Sequence, residues 1–332
     1  MWKVNAGRRS ALAHEFLTRG VVAIGWQEAG DYSRLPSRQA VLDTMVRAYP
    51  DRTDQQNTVG AGQVWRFLTD VREGDRVITY DPVARAYHLG TICGPPQYRP
   101  DEIEALPVQR TVKWASTVSR DALSTAAKGK LGALLTLFQV AETTADEIEA
   151  LAVGRPASAA IPVAGSAEED VFEQASDPFA GLQDLAIERI KDRLAGLDWE
   201  DMQEIVAALL RALGYRTIVS PAGADRGKDI IASRDGFGFE TPRIVVEVKH
   251  RRGAMGAPEI RAFLGGRHAD DRGLYVSTGG FTQQAQFEAE RASNVTHLMT
   301  LDGLARALVA NYDQLDERGR TLLPLVKLYW PA

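Results

Sequence analysis

The chain has 332 residues, a formal net charge of −5, one cysteine and five histidines. That length favours two domains, each with its own core. The lone Cys93 excludes an internal disulfide framework, the histidines lack the paired spacing of a zinc site, and the net acidity argues against a tail that coats nucleic acid by charge alone. No apolar run approaches a membrane span or a signal peptide, so a cytoplasmic chain with no membrane partner is expected.

A first domain is expected over residues 1–141. Residues 2–7 read as a short strand and turn, 11–18 as a helix stopping before Gly20, and 21–26 as a buried strand. Residues 37–49 read as a helix capped by Ser37, with Val41, Leu42, Met45 and Val46 on its apolar face. A further helix is expected over 63–71. Strands follow at 75–80, 86–94 and 110–115, separated by Gly and Pro turns, which suggests a small, strongly curved sheet or barrel with helices. Residues 142–180 are rich in Ala, Ser, Pro and acids and read as a linker, with a short helix at 146–151.

The second domain is expected over 181–311. It opens with an amphipathic helix (Leu182, Leu185, Ile190, Leu194) and then alternates helices and strands, the order of a mixed sheet flanked by helices. A tail over 312–332 holds Leu322, Leu323, Leu325, Val326, Leu328, Tyr329 and Trp330. Exposed, it would be sticky, so it should pack on the first domain, on the linker helix or across a dimer.

Most of the chemistry lies between Ser220 and Arg252. Ile230-Ile231-Ala232 and Ile244-Val245-Val246-Glu247-Val248-Lys249 read as two strands of a hairpin. Alternation puts Glu247 and Lys249 on one face, which is costly on an apolar strand unless they are paired or bind something. Asp229 feeds the partner strand and comes near Glu247 in a hairpin. Two carboxylates and a lysine meeting there suit Mg²⁺ and phosphodiester hydrolysis, with Mn²⁺ as a substitute. The bland alternative is an ordinary strand with a surface salt bridge. The basic residues that follow (Lys249, His250, Arg251, Arg252, Arg261, Arg267, His268, Arg272) either contact phosphate or form a solvated loop. The turn Thr278-Gly279-Gly280 before a helix either cradles a phosphate or simply connects, with Thr282 as N-cap.

Residues 197–308 resemble the catalytic domain of Mrr-like restriction endonucleases, a branch of the PD-(D/E)XK superfamily. The resemblance rests on the helix ending Leu213-Gly214-Tyr215, the Asp225-to-Asp229 turn, the Glu247-x-Lys249 strand and the Ser277-to-Thr282 turn. It implies Asp229, Glu247 and Lys249 as the catalytic core, with Asp229 and Glu247 as metal ligands. Gln203 stands where the family usually carries a supporting Glu. The DNA contacts it suggests are Lys228, Arg251, Arg252 and Thr278.

The first domain resembles the PUA-like superfamily, specifically the EVE-type domains of modification-dependent restriction proteins. Trp2, Ile24-Gly25-Trp26, Trp65-Arg66-Phe67, Gly74-Asp75-Arg76-Val77, Gly90-Thr91-Ile92 and Val112-Lys113-Trp114 carry this resemblance. It implies a slot for a flipped, modified cytosine, with Trp26, Tyr32, Trp65, Tyr80 and Trp114 as candidate walls and Asp31 or Asn57 as edge readers. The expectation is a homodimeric, Mg²⁺-dependent DNA endonuclease of the modification-dependent type. The rivals are an effector nuclease gated by a nucleotide or RNA, and a nuclease fold that binds DNA without cutting it.

Overall fold

The computed structural model describes all residues except 104, 134, 156–177, 221–228, 238, 269, 293–294 and 329–332. Lys228, the Asp225 end of the acidic turn, and Tyr329 and Trp330 of the tail therefore lie outside the described residues, as does most of the expected linker. The chain divides into two units, Met1–Leu185 and Ala186–Ala332.

The first unit contains β1 (Trp2–Val4), α1 (Ala13–Arg19), β2 (Val21–Ile24), α2 (Arg38–Ala48), α3 (Asp54–Thr69), β3 (Arg76–Asp81), β4 (Ala86–Ile92), β5 (Gln97–Tyr98), β6 (Val108–Ser119), α4 (Thr125–Leu131), β7 (Leu137–Gln139) and α5 (Glu142–Ala152). Its strands form one curled sheet in the order β2-β6-β4-β3-β1-β7, with β5 added on β6. Alternation gives that sheet two buried faces. Val77, Ile92 and Val112 join a core with Phe16, Met45 and Phe67, whereas Ile78, Leu89 and Val118 join another with Leu131 and Ile148. A bulge between Leu89 and Gly90 helps the sheet curl. A Cβ at Gly90 would stand 2.5 Å from Val112 Cγ1, so only glycine fits there.

Local chemistry explains most of these elements. The Ser37 hydroxyl accepts from the Ala40 amide at the start of α2, and Gly20 closes α1 in the left-handed region at φ 66°. α3 starts well before the expected position, at a capping box between Thr53 and Gln56. α5 packs Ile148 into the second core, so the folded part of this unit runs into what composition marks as linker.

The second unit contains the later half of α6 (Pro178–Ala195), then α7 (Trp199–Ala212), β8 (Arg216–Val219), β9 (Ile230–Ser233), β10 (Ile244–Lys249), α8 (Ala257–Gly265), β11 (Arg272–Ser277), α9 (Gln283–Glu290), β12 (Thr296–Thr300), α10 (Leu301–Ala310) and α11 (Glu317–Leu322). Its five-stranded sheet has the order β12-β11-β10-β9-β8. β10, β11 and β12 are parallel, and β9 is antiparallel to both β10 and β8. This is the expected mixed sheet with one added edge strand, β8.

Helices cover both faces. Val246, Val248, Leu274 and Val276 pack with α7 and α10, whereas Tyr275 packs with Ile260 and Phe263 of α8 and Ala285 and Ala289 of α9. α10 is capped by Thr300, whose hydroxyl accepts from the Gly303 amide. Asp302 sits in the first turn and pairs with Arg306. The start of the tail packs on α6 and α7. Leu323 is buried in the α7 core, and the Leu322 carbonyl accepts from Arg193 of α6 at 3.2 Å. Val326 and Leu328 remain exposed.

Candidate active site

The hairpin brings the expected trio together. Ile230 pairs with Val246 in the β9–β10 register, so Asp229 lies one residue before that pair and Glu247 one residue after it. Among the described residues the Val248 amide, two positions past the Ile230–Val246 pair, has no backbone partner on β9. The Asp229 carboxylate takes that place, accepting from Val248 N–H at 2.6 Å. Its own backbone is held on both sides: Asp229 N–H donates to the Val246 carbonyl at 2.9 Å, and its carbonyl accepts from Ser220 at 2.8 Å. The carboxylate is thus fixed at the end of the sheet, 4% exposed.

Glu247 and Lys249 share the face covered by α8 and α9. Their side chains meet at 2.8 Å, with Lys249 one-third exposed and Glu247 nearly buried. Burial raises the Glu247 carboxyl above the usual carboxylate range. Lys249 pulls it back, Asp229 raises it further and Arg267 lowers it. Two carboxylates held this close repel each other, and a cation between them would remove the conflict.

The donor chemistry fits a hard divalent cation. Among the described residues no group of three or more His, Cys, Asp or Glu could hold a metal. The site therefore offers a pair of carboxylates and not a complete protein cage, and Mg²⁺ binds in that way, through one or two carboxylates with water and substrate phosphate filling the rest.

Gln203 is buried on α7, which packs on the opposite face of the sheet, and no hydrogen bond joins it to the trio among the described residues. Its neighbour Glu204 is committed to Arg211 at 2.6 Å, and Arg211 is also held by Asp316. Glu200 is exposed.

The basic stretch is not one solvated loop. Burial lowers the Arg267 guanidinium to about 10; it lies 3.3 Å from the centroid of the Phe263 ring and faces Glu247 and Asp271. Arg251 pairs with Glu259 at 3.2 Å, and Arg252 is exposed. The glycine turn is a connection. Thr278 N–H donates to Lys249 and Gly280 N–H to Ser277, so neither amide is turned toward a ligand. The Thr278 hydroxyl donates to the Lys249 and Arg251 carbonyls at 3.4 and 3.3 Å. A Cβ at Gly279 would stand 2.2 Å from the Gly253 carbonyl, so this turn needs glycine to lie on the loop after Lys249.

In the first unit the five aromatics do not form one slot. Tyr80 belongs to the core beneath α4 and α5, where it stacks on Tyr87 and lies under Arg120. Tyr32 is 1% exposed and donates to the Gly25 carbonyl. Trp65 packs on the core from its edge, and Trp114 donates to the Phe16 carbonyl at 3.0 Å. Trp26 differs from these. Its backbone is left-handed at φ 69°, a strained setting for a bulky residue. Its ring lies against Gly60 of α3, where a Cβ would stand 3.1 Å from Nε1. Asn57, one turn earlier on the same face of α3, has a buried Oδ1 with no hydrogen-bond partner. Asp31 is turned back onto Ser33.

The second unit is a mixed sheet with helices on both faces, and at the end of its β9–β10 hairpin two buried carboxylates lie beside a lysine. Residues 194–308 match the restriction endonuclease family Mrr_cat, and the chain carries a restriction endonuclease domain of that family. Residues 2–141 match a family described as a domain of unknown function, DUF8426. The chain is 30% identical over 149 residues to the type IV methyl-directed restriction enzyme EcoKMrr of Escherichia coli, covering 42% of this chain and 46% of that protein. It is 31% identical over 122 residues to the uncharacterized protein y4cE of Sinorhizobium fredii, covering 36% of this chain and 31% of that one. The chain thus spans less than half the length of these curated relatives. Among solved structures, MspJI restriction endonuclease in complex with a 27-mer oligonucleotide overlaps 80% of this chain and 69% of its own at 15% identity, TM-score 0.32. The DNA modification-dependent restriction endonuclease AspBHI overlaps 74% and 66% at 14% identity, TM-score 0.33.

Proposed function

We propose that the chain is a metal-dependent DNA endonuclease of a modification-dependent, type IV-like restriction system. The observation that carries this reading is the meeting of Asp229, Glu247 and Lys249 at the end of the β9–β10 hairpin within a restriction endonuclease domain. Asp229 and Glu247 would hold Mg²⁺, for which Mn²⁺ can substitute. When bound, the ion stabilises charge at phosphorus and lowers the pKa of a coordinated water. Lys249, paired to Glu247 and partly exposed, keeps a proton-rich head at the mouth of the site, where it orients the attacking water and offsets charge on the phosphate. Arg252 and Arg251 supply backbone contacts to DNA nearby.

We assign recognition to the first domain, read as PUA-like and EVE-type. The Escherichia coli relative is a methyl-directed enzyme, which favours a modified base as the trigger here. Trp26, strained and set against α3, is the best wall for such a base. The unpartnered Asn57 Oδ1 on the same helix is the best edge reader. The unit that acts is a dimer in this reading, because cutting both strands needs two sites.

The test is digestion of two duplexes of identical sequence, one carrying 5-methylcytosine, with Mg²⁺ or with EDTA. Cleavage of the modified duplex alone, lost in EDTA and restored by Mg²⁺ or Mn²⁺, is expected. Equal cutting of both duplexes overturns the recognition role, and cutting in EDTA overturns the metal. Sedimentation of an active monomer overturns the dimer.

A further inference from the structure

Two hydroxyls beside the trio have no hydrogen-bond partner among the described residues. β10 and β11 are parallel, with Glu247 opposite Tyr275 and Lys249 opposite Ser277. Alternation turns all four side chains to the same face. Tyr275 and Ser277 are both 0% exposed, and neither hydroxyl makes a hydrogen bond among the described residues. The Tyr275 ring is clamped edge-on between Phe263 at 5.0 Å and Phe281 at 5.8 Å, so it cannot swing out to find water. Its hydroxyl lies in the field of Glu247 and Asp229.

A buried hydroxyl left unpaired is costly, and one on each of two register positions beside a Glu–Lys pair calls for a ligand. We propose that Tyr275 and Ser277 complete the active site by holding, with Glu247, the water that attacks the phosphodiester. Tyr275 donates to its oxygen while Glu247 and Ser277 accept its two hydrogens, which leaves one lone pair free to attack phosphorus; the proton passes to Glu247 as the bond from phosphorus to the leaving sugar oxygen breaks, and Lys249 offsets the charge.

This inference rests on the nuclease reading, and the experiment separates the two. Wild type, Asp229→Asn, Tyr275→Phe and Ser277→Ala are compared for kcat and KM on modified duplex with Mg²⁺, and for Tm in EDTA. Tyr275→Phe is expected to lower kcat on the order of 10- to 100-fold with KM unchanged. In EDTA its Tm should equal or exceed that of wild type, because the hydroxyl it removes has no partner there. Ser277→Ala should lower kcat on the order of 10-fold, with the same pattern in KM and Tm. Activity within twofold of wild type in both variants overturns the water site while leaving the nuclease reading intact. A lower Tm in Tyr275→Phe with kcat unchanged makes the hydroxyl structural and also overturns it. If wild type and Asp229→Asn cut alike, the nuclease site itself is wrong.

Discussion

In the proposed nuclease site Asp229 has two jobs, and two substitutions separate them. Its Oδ2 accepts the Val248 amide at 2.6 Å where β9 has not yet begun, and its charge would serve the proposed cation. Asp229→Ala leaves a buried amide without an acceptor, which costs about 1–3 kcal/mol. For a domain of this size about 1 kcal/mol moves Tm by roughly 2–4 °C, so a fall of about 2–12 °C is expected. Asp229→Asn keeps an oxygen on the Val248 amide and removes one of two carboxylates that repel, so its Tm in EDTA should match or exceed that of wild type. Both variants should lose cleavage by a factor on the order of 10² or more, since neither keeps the charge. Calorimetry in EDTA and single-turnover cleavage with Mg²⁺ give the two readouts. Asparagine at 229 with wild-type cleavage would refute the charge role; alanine at 229 with an unchanged Tm would refute the strand-capping role.

Glu247→Gln should abolish cleavage while stabilising the metal-free protein at neutral pH. The Glu247 carboxyl is raised in the fold, chiefly by burial, so the folded state binds its proton more tightly than the unfolded chain. Its contribution is fully present below the unfolded value and is lost as pH rises through the folded one, so the gain of the Gln variant should grow as pH rises above about 4 in thermal melts. A gain that shrinks over that range would reverse the sign. Gly279→Ala forces a Cβ to within 2.2 Å of the Gly253 carbonyl, and should cost about 1–3 kcal/mol with loss of cleavage, because the displaced loop follows Lys249 directly. An unchanged melt would mean the turn has room to move. Trp26→Ala should bring anisotropy-measured affinity for the methylated duplex down to that for the unmodified one; retained discrimination would remove Trp26 from recognition.

The trio was legible because its parts are local. A Glu-x-Lys strand fixes its own alternation, and Asp229 stands at the entry of the partner strand, so a hairpin alone brings them together. Tyr275, Ser277 and Arg267 were not legible as site residues. Tyr275 and Ser277 come opposite Glu247 and Lys249 through the parallel pairing of β10 with β11 across α8, and that register is a tertiary result with no signature in either strand. Arg267 reads as one more cation in a basic run until the Phe263 ring under it is known. β8 was missed because Arg216, Thr217, Ile218 and Val219 form an edge with no buried face to impose a clear pattern. The start of α3 was hidden by Gly60 and Gly62, poor helix formers kept where Trp26 and Arg38 approach.

The energetics of the site tie these points together. Asp229, Glu247, Tyr275 and Ser277 are each nearly sealed from solvent, and in the protein alone the carboxylates repel and the hydroxyls go unpaired. Lys249 offsets only part of this, since among the described residues its side chain pairs with Glu247 and a third of it faces water. A fold keeps such a cluster only if rigid surroundings enforce it. The surroundings here do so: Asp229 is locked by three backbone hydrogen bonds, Tyr275 by two rings, and Arg267 by its stack on Phe263. Cation, water and phosphate would each relieve a different part of the conflict, so a site built this way is pre-organised for its ligands. That is why the sharpest evidence is a pair of opposite signs: substitutions that raise Tm in EDTA should be the ones that lower kcat with Mg²⁺.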